Sequence, residues 1–192
     1  SHQKFILIDH AIAYILTGNF PWCWYSDHCA INYMVRTDKK NIVGYLLRLW
    51  QIDRDNGNHQ KTLTPIPIPT ELIVSPENTG HQIIDFIDDA KQSLWILQPF
   101  LSEQDHLPVS LVQSLRRAIK RHVSIHVVTD MPASNKHWQI HPALIALAQS
   151  SPLFTIVKNP SSHFLHAKVM VRDKNSAIIG SVNWSDDAFY RH

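Results

Sequence analysis

Three observations predict an α/β protein. From Glu71 onward, short runs rich in branched and aromatic residues alternate with segments whose apolar residues recur at helical spacing. Two pairs of apolar runs, 3–8 with 11–16 and 167–173 with 176–184, have the form of hairpins. Both hairpins carry one pattern, H-x-K-x4-D-x7-[S/T]-x-N, and the second copy lies 164 positions after the first at every matching residue.

The elements follow in order. QKFILI at 3–8 and AIAYIL at 11–16 are separated by Asp9-His10, and alternation along a strand puts His2 and Lys4 on one face. Ala30 to Val35 reads as a further strand. Asp38 is a plausible N-cap for a helix through Trp50, with Ile42, Val43, Leu46, Leu49 and Trp50 on its apolar side. Residues 51–70 are polar and then proline-punctuated, as a linker is. Beyond it come the strand LIVSP, a helix over HQIIDFIDDAKQ with Ile83, Ile84 and Ile87 on one side, and the strand LWILQP. A helix from Pro108 to His122, the strand VSIHVVTD, a short helix at Pro142 to Gln149 and the strand LFTIV lead to the second hairpin. Strand-helix-strand units of this kind suggest a parallel sheet.

Composition bounds the function loosely. The chain has 192 residues, 44% of them hydrophobic, enough for a real core. A formal net charge of +2, spread along the chain, does not require a nucleic-acid partner. No run of 18 apolar residues appears, so the reading is of a soluble or membrane-peripheral protein of open compartment and oligomeric state. Cys23 and Cys29 neither demand nor exclude a bond between them, and their spacing fits no zinc motif.

The repeat carries the chemistry. Its first copy is His2, Lys4, Asp9, Thr17, Asn19; its second is His166, Lys168, Asp173, Ser181, Asn183. From the residue frequencies of the chain, the odds of another His matching all four remaining positions are roughly 1 in 4,000, so the copies form an internal repeat. Brought together about a pseudo-twofold axis, they would surround one point with two imidazoles, two ammonium groups and two carboxamides. Such a point suits a phosphate-sized anion, because ammonium and amide donors neutralise and orient it without a metal. One imidazole can attack phosphorus while the other gives and later takes the proton.

These residues resemble the phospholipase D superfamily, whose signature is HxKxxxxD continued as GSxN. HAKVMVRDKNSAIIGSVN from His166 to Asn183 is a full match; HQKFILIDHAIAYILTGN from His2 to Asn19 has Leu16 and Thr17 where the family favours Gly-Ser. The resemblance implies a mixed sheet flanked by helices in two pseudo-symmetric halves. Residues 1–53 would be the C-terminal part of a first half, 54–70 a linker and 71–192 the second half, the chain being a fragment whose N-terminal half is incomplete and leaves a sheet edge exposed. It implies a metal-independent phosphodiesterase or phosphatidyl transferase acting on a phospholipid, with no cofactor, through a phosphohistidine on His2 and with His166 as general acid and base. Lys4, Lys168, Asn19 and Asn183 would bind the phosphoryl oxygens, helped by Thr17 and Ser181. Asp9 and Asp173 would each fix an imidazole tautomer through Nδ1. The alternatives are a superfamily nuclease acting on DNA or RNA and, from another class, an inactive phosphate-binding or scaffold module.

Other features have plainer readings. His10, His28, His59, His81, His106, His137 and His192 read as surface or core residues, and Arg116, Arg117, Lys120 and Arg121 as the solvated face of a helix. Phe20, Trp22, Trp24 and Tyr25 could be core, a rim at the substrate entry, or a contact with a membrane surface through Phe20, Trp22 and Trp24. His122, His126 and His141 have no partners at ligand spacing.

Overall fold

The computed structural model describes residues 4–18, 30–57, 67–101, 106–130 and 140–190. His2, Asn19, both cysteines and the aromatic stretch Phe20, Trp22, Trp24 and Tyr25 lie outside the described residues.

Branched residues at alternate positions build a five-stranded sheet. Its strands are β4 (Ser93–Leu97), β5 (Ser124–Thr129), β6 (Phe154–Lys158), β7 (Lys168–Arg172) and β8 (Ser176–Gly180), in the order β6-β5-β4-β7-β8. β4 pairs parallel with β5 and β5 with β6, whereas β7 joins antiparallel to β4 and β8 antiparallel to β7. The sheet is therefore mixed: the crossover helices enforce the parallel half, and the hairpin enforces the antiparallel half. Leu94, Ile96, Ile125, Val127 and Met170 form one buried face. Against it pack α2 (Thr79–Asp88), α3 (Val109–Lys120) and α4 (Pro142–Ser150) through Ile83, Ile87, Leu111, Leu115, Leu144 and Leu147. α5 (Asp186–Tyr190) follows the second motif and buries Phe189 in the same core.

A smaller antiparallel sheet holds β1 (Phe5–Ile8), β2 (Ile12–Leu16) and β3 (Met34–Thr37) in that order. α1 (Lys40–Gly57) covers it with Ile42, Val43, Tyr45 and Leu46, joined by Leu72 and Val74. β2 and β3 come up against β8, and an isolated parallel bridge joins Ile31 to Leu165. The two sheets thus meet at the second motif.

Several elements differ from the sequence reading. α1 runs to Gly57, into the expected linker, and Trp50 is 48% exposed with the Arg54 guanidinium 5.1 Å from its ring centroid. LIVSP is not a strand. The Asn78 side chain accepts from the Val74 N–H at 2.7 Å and donates to the Leu72 carbonyl at 3.0 Å, using the backbone groups that a sheet would need. Among the described residues no helix is long and apolar enough to cross a membrane.

Candidate functional site

Each hairpin turns on two non-glycine residues in the left-handed region: Asp9 (φ 50°) and His10 (54°) in the first, Asp173 (51°) and Lys174 (61°) in the second. The turns close with Ala11 N–H to the Ile8 carbonyl at 2.9 Å and Asn175 N–H to the Arg172 carbonyl at 3.1 Å. Asp tolerates this conformation better than most residues, so the repeated aspartate is a turn residue. Partial burial would raise the Asp173 carboxyl. The backbone N–H groups of Ser93, Lys91 and Gln92, at 2.9, 3.0 and 2.7 Å, outweigh it and hold the carboxyl below the usual carboxylate range.

That placement corrects the expected role of Asp173; His2, which Asp9 was expected to orient, lies outside the described residues. At about 3.3 Å per residue, Asp173 lies roughly 16 Å along the strand from Lys168, too far to orient His166. Asp9, exposed at the first turn, lies as far beyond Lys4.

The chemical groups gather at the other end of the hairpins. Lys4 (8% exposed) and Lys168 (4%) line one cleft of about 1300 Å³ together with Gln98, Ser181 and Asn183. Lys168 Nζ donates to the His166 carbonyl at 2.7 Å and sits 3.2 Å from the imidazole Nε2. Burial, and then the nearby Lys4 charge, push the Lys168 ammonium down to about 7; burial alone lowers Lys4. Two buried lysines, one of them lowered further by the charge of the other, form a site that an anion would suit. The amide oxygen of Asn183 is buried with no hydrogen-bond partner among the described residues. Phe100 and Phe164 flank the His166 ring at 6.4 and 6.1 Å between centroids.

Thr17 does something other than the expected phosphate contact. It is fully buried, and its hydroxyl accepts from Tyr33 N–H at 2.8 Å and donates to Asn32 Oδ1 at 3.2 Å. The Tyr33 carbonyl is a second acceptor at 3.3 Å, so the hydroxyl is engaged by residues 32 and 33. The Asn32 amide nitrogen donates to the Ala30 carbonyl at 3.2 Å, which sets the amide's orientation and leaves Oδ1 as the acceptor 3.2 Å from His166 Nδ1. This assigns the proton to Nδ1 and leaves Nε2 as the ring's acceptor, 3.2 Å from Lys168 Nζ. Asn32, from the first half, thus takes the orienting role that Asp173 was expected to play.

The sequence reading missed Asn32, although a poor strand former inside the expected strand Ala30 to Val35 was a signal. Gly18 belongs with it: a Cβ there would lie 2.2 Å from Asn32 Oδ1. A Cβ at Gly180 would meet nothing within 4 Å, so that family glycine is not sterically required, and its counterpart Leu16 is simply buried in the first copy.

Among the described residues no group of His, Cys, Asp or Glu is arranged to hold a metal. His126 stacks on Trp95 at 4.2 Å and bonds Thr155, and the His141 ring accepts from Ala143 N–H at the start of α4.

Comparison with known proteins places this arrangement. Residues 83–192 match the family described as the PLD-like domain of cardiolipin synthase. The fold is similar to that of a polyphosphate kinase from Porphyromonas gingivalis, at 16% identity and a TM-score of 0.63, over 93% of this chain and 26% of that one. The chain thus spans about a quarter of that enzyme, and at this identity the likeness is one of fold alone. A phospholipase D family member, Nuc from Salmonella typhimurium, matches at 21% identity with a TM-score of 0.47, over 58% of this chain and 68% of that one. NucT from Helicobacter pylori matches at 18% and 0.44, over 58% and 70%. These two scores are too low to carry an argument. No curated protein sequence matches the chain.

Proposed function

From a chain that belongs to the phospholipase D superfamily, in the family of the PLD-like domain of cardiolipin synthase, we propose a metal-independent phosphodiesterase or phosphatidyl transferase that acts on phospholipids. The observation that carries this reading is the meeting of Lys4 and Lys168, 164 residues apart in the chain, in one cleft beside His166. A phosphodiester anion there would restore the charge that burial opposes on both lysines, and its two free oxygens suit two ammonium groups.

His2 precedes Lys4 as His166 precedes Lys168, and the repeat makes it the second imidazole. In this scheme His2 attacks phosphorus and the P–O bond to the alcohol breaks, while His166 passes its Nε2 proton to the departing oxygen. A phosphohistidine remains. His166, now neutral, takes a proton from water or an acceptor alcohol as that oxygen attacks phosphorus, and the P–N bond breaks to free His2. Asn32 keeps Nδ1 protonated throughout. Asn183 and Ser181 face the transferring group from the cleft wall, and Asn19 is its counterpart in the first copy.

A lipid substrate is favoured over a nucleic acid by the walls of the cleft. Beyond Lys4 and Lys168 they include Phe5, Ile15, Leu46, Leu72, Val169 and Ile179, and the two other cations there, Arg36 and Lys39, are paired with Asp38 and Glu71, whereas a nucleic-acid channel would present a row of unpaired cations. The test is turnover of phosphatidylcholine in mixed micelles and of single-stranded DNA, with and without EDTA. His166→Ala should abolish lipid turnover and EDTA should leave the parent untouched; a chelator-sensitive activity, or cleavage of DNA alone, would sink the proposal.

A further inference from the structure

The segment that delivers His166 is irregular. Between the end of β6 at Lys158 and the start of β7 at Lys168 it joins no sheet ladder among the described residues and carries one isolated β-bridge, from Leu165 to Ile31. An irregular lead-in leaves the imbalance of a catalytic ring to whatever holds its backbone, because an error of about 1 Å in a reacting group can cost on the order of a hundredfold in rate.

Two side chains hold it, both at the C-terminal ends of parallel strands. Asp130 directly follows β5, and its carboxylate accepts from the backbone N–H of Leu165 and, at 3.0 Å, from the Asn159 amide. Asn159, which directly follows β6, is 7% exposed and uses its amide at both ends. Its nitrogen also donates to the His163 carbonyl at 2.8 Å, and its oxygen accepts from Ser161 N–H at 3.1 Å. Its own backbone N–H bonds the Thr129 carbonyl at 2.8 Å, tying it to the strand that carries Asp130.

On the opposite side Ile31 N–H donates to the Phe164 carbonyl at 2.7 Å and His166 N–H to the Ile31 carbonyl at 3.1 Å. Residues 164–166 are therefore gripped from both halves of the molecule. Of the two grips, the one built by Asp130 and Asn159 is anchored in the larger sheet. The side-chain bonds of both residues go to each other and to the backbone of residues 161–165.

We infer that Asp130 and Asn159 are positioning residues for His166: through Leu165 and His163 they set the backbone from which the imidazole reaches both Asn32 and Lys168. Asp130→Asn keeps the size of the side chain and removes the charge. The replacement amide cannot both accept from Leu165 N–H and face the Asn159 amide with an acceptor. The double change Asp130→Asn with Asn159→Asp restores a donor opposite an acceptor at that contact, leaving only the bond to the His163 carbonyl unmade.

This inference rests on the proposed role of His166, and its test separates the two. In Asp130→Asn, kcat on the phosphodiester substrate should fall about tenfold or more with KM within about twofold, in line with losses seen when supporting residues are removed from catalytic groups. The double variant should recover part of it. An unchanged kcat, or a loss that the double variant does not relieve, would overturn the inference. Should Asp130→Asn fail to fold, Asn159→Ser leaves the Asp130 bond to Leu165 in place and should show the same split between kcat and KM.

A readout independent of turnover is the ring nitrogen spectrum of His166, identified by its absence in His166→Gln. The parent should show one tautomer, protonated at Nδ1, and Asp130→Asn a mixture. An unmixed Nδ1–H tautomer in a folded Asp130→Asn would overturn the inference even if the parent turned over no phosphodiester, an outcome that would end the proposed function alone.

Discussion

The two hairpins carry His, Lys, Asp, a hydroxyl residue and Asn at the same spacing, and their turns share one backbone conformation, yet their surroundings differ at both ends. At the turn, Asp173 accepts three backbone N–H bonds from residues 91–93 and locks the second hairpin onto the start of β4, while Asp9 stands exposed. At the other end, Lys168 emerges inside a five-stranded sheet and Lys4 next to β1, at the end of a three-stranded one. The lesson is that a repeated motif does not repeat its energetics. In the second copy the aspartate is an anchor and the lysine bears the larger burial cost; in the first the aspartate is chiefly a turn former.

The largest expected effect tests the lysines. Lys168→Met should lower turnover by about a thousandfold, in the range for losing a preorganised charge that faces the transition state, while making the protein more stable at pH 6. The sign follows from the lowered ammonium. Below about 7 both folded and unfolded chains hold the proton, so the folded state bears the full cost of a buried charge. Between about 7 and the ordinary value of 10.5 the unfolded chain binds a proton that the folded one does not, so the cost fades as pH rises. Thermal melts should place Lys168→Met above the parent by about 5 °C or more at pH 6, with the gap narrower at pH 9. A variant less stable than the parent at pH 6 would show that Lys168 is not strained by its burial.

Next in size is the contrast between the turns. Asp173→Ala orphans three N–H groups and should cost about 2 kcal/mol, whereas Asp9→Ala should stay within about 0.5 kcal/mol. Urea unfolding of the two variants decides it, and equal losses would erase the difference claimed between the hairpins. Because the Asp173 carboxyl is held low, its contribution is present above the ordinary value of 3.8 and is lost as pH falls through its lower folded value. Acid should therefore narrow the gap between Asp173→Ala and the parent.

The smallest effect concerns the link between the halves. A methyl group at position 18 drives the Asn32 amide away from His166, so Gly18→Ala and Asn32→Ala should each lower kcat about tenfold, and the pair together no further than either alone. Steady-state kinetics of the three variants is the measurement. Multiplicative losses would mean that Gly18 acts by some route other than Asn32.

Much of the fold was legible in the chain because it is written in short-range patterns. Ile83, Ile84 and Ile87 at helical spacing, the alternating VSIHVVTD, and two apolar runs around Asp9-His10 each specify an element from a handful of neighbours. The failures have local causes too. LIVSP has strand composition, but the Asn78 side chain captures its backbone, and the helix past Trp50 continues through polar residues that read as a linker.

By itself the sequence determined that two matching half-sites exist, each on a pair of apolar runs that read as a hairpin. Only the tertiary structure decided which end of each hairpin buries its lysine, that the Thr17 hydroxyl lies against Asn32, and that Asn32 rather than Asp173 bonds the His166 ring. The physical reason is reach. Spacing along a strand is set by a fixed rise per residue, whereas a hydrogen bond between residues 134 apart exists only once two sheets have packed, and no pattern within either segment encodes its partner.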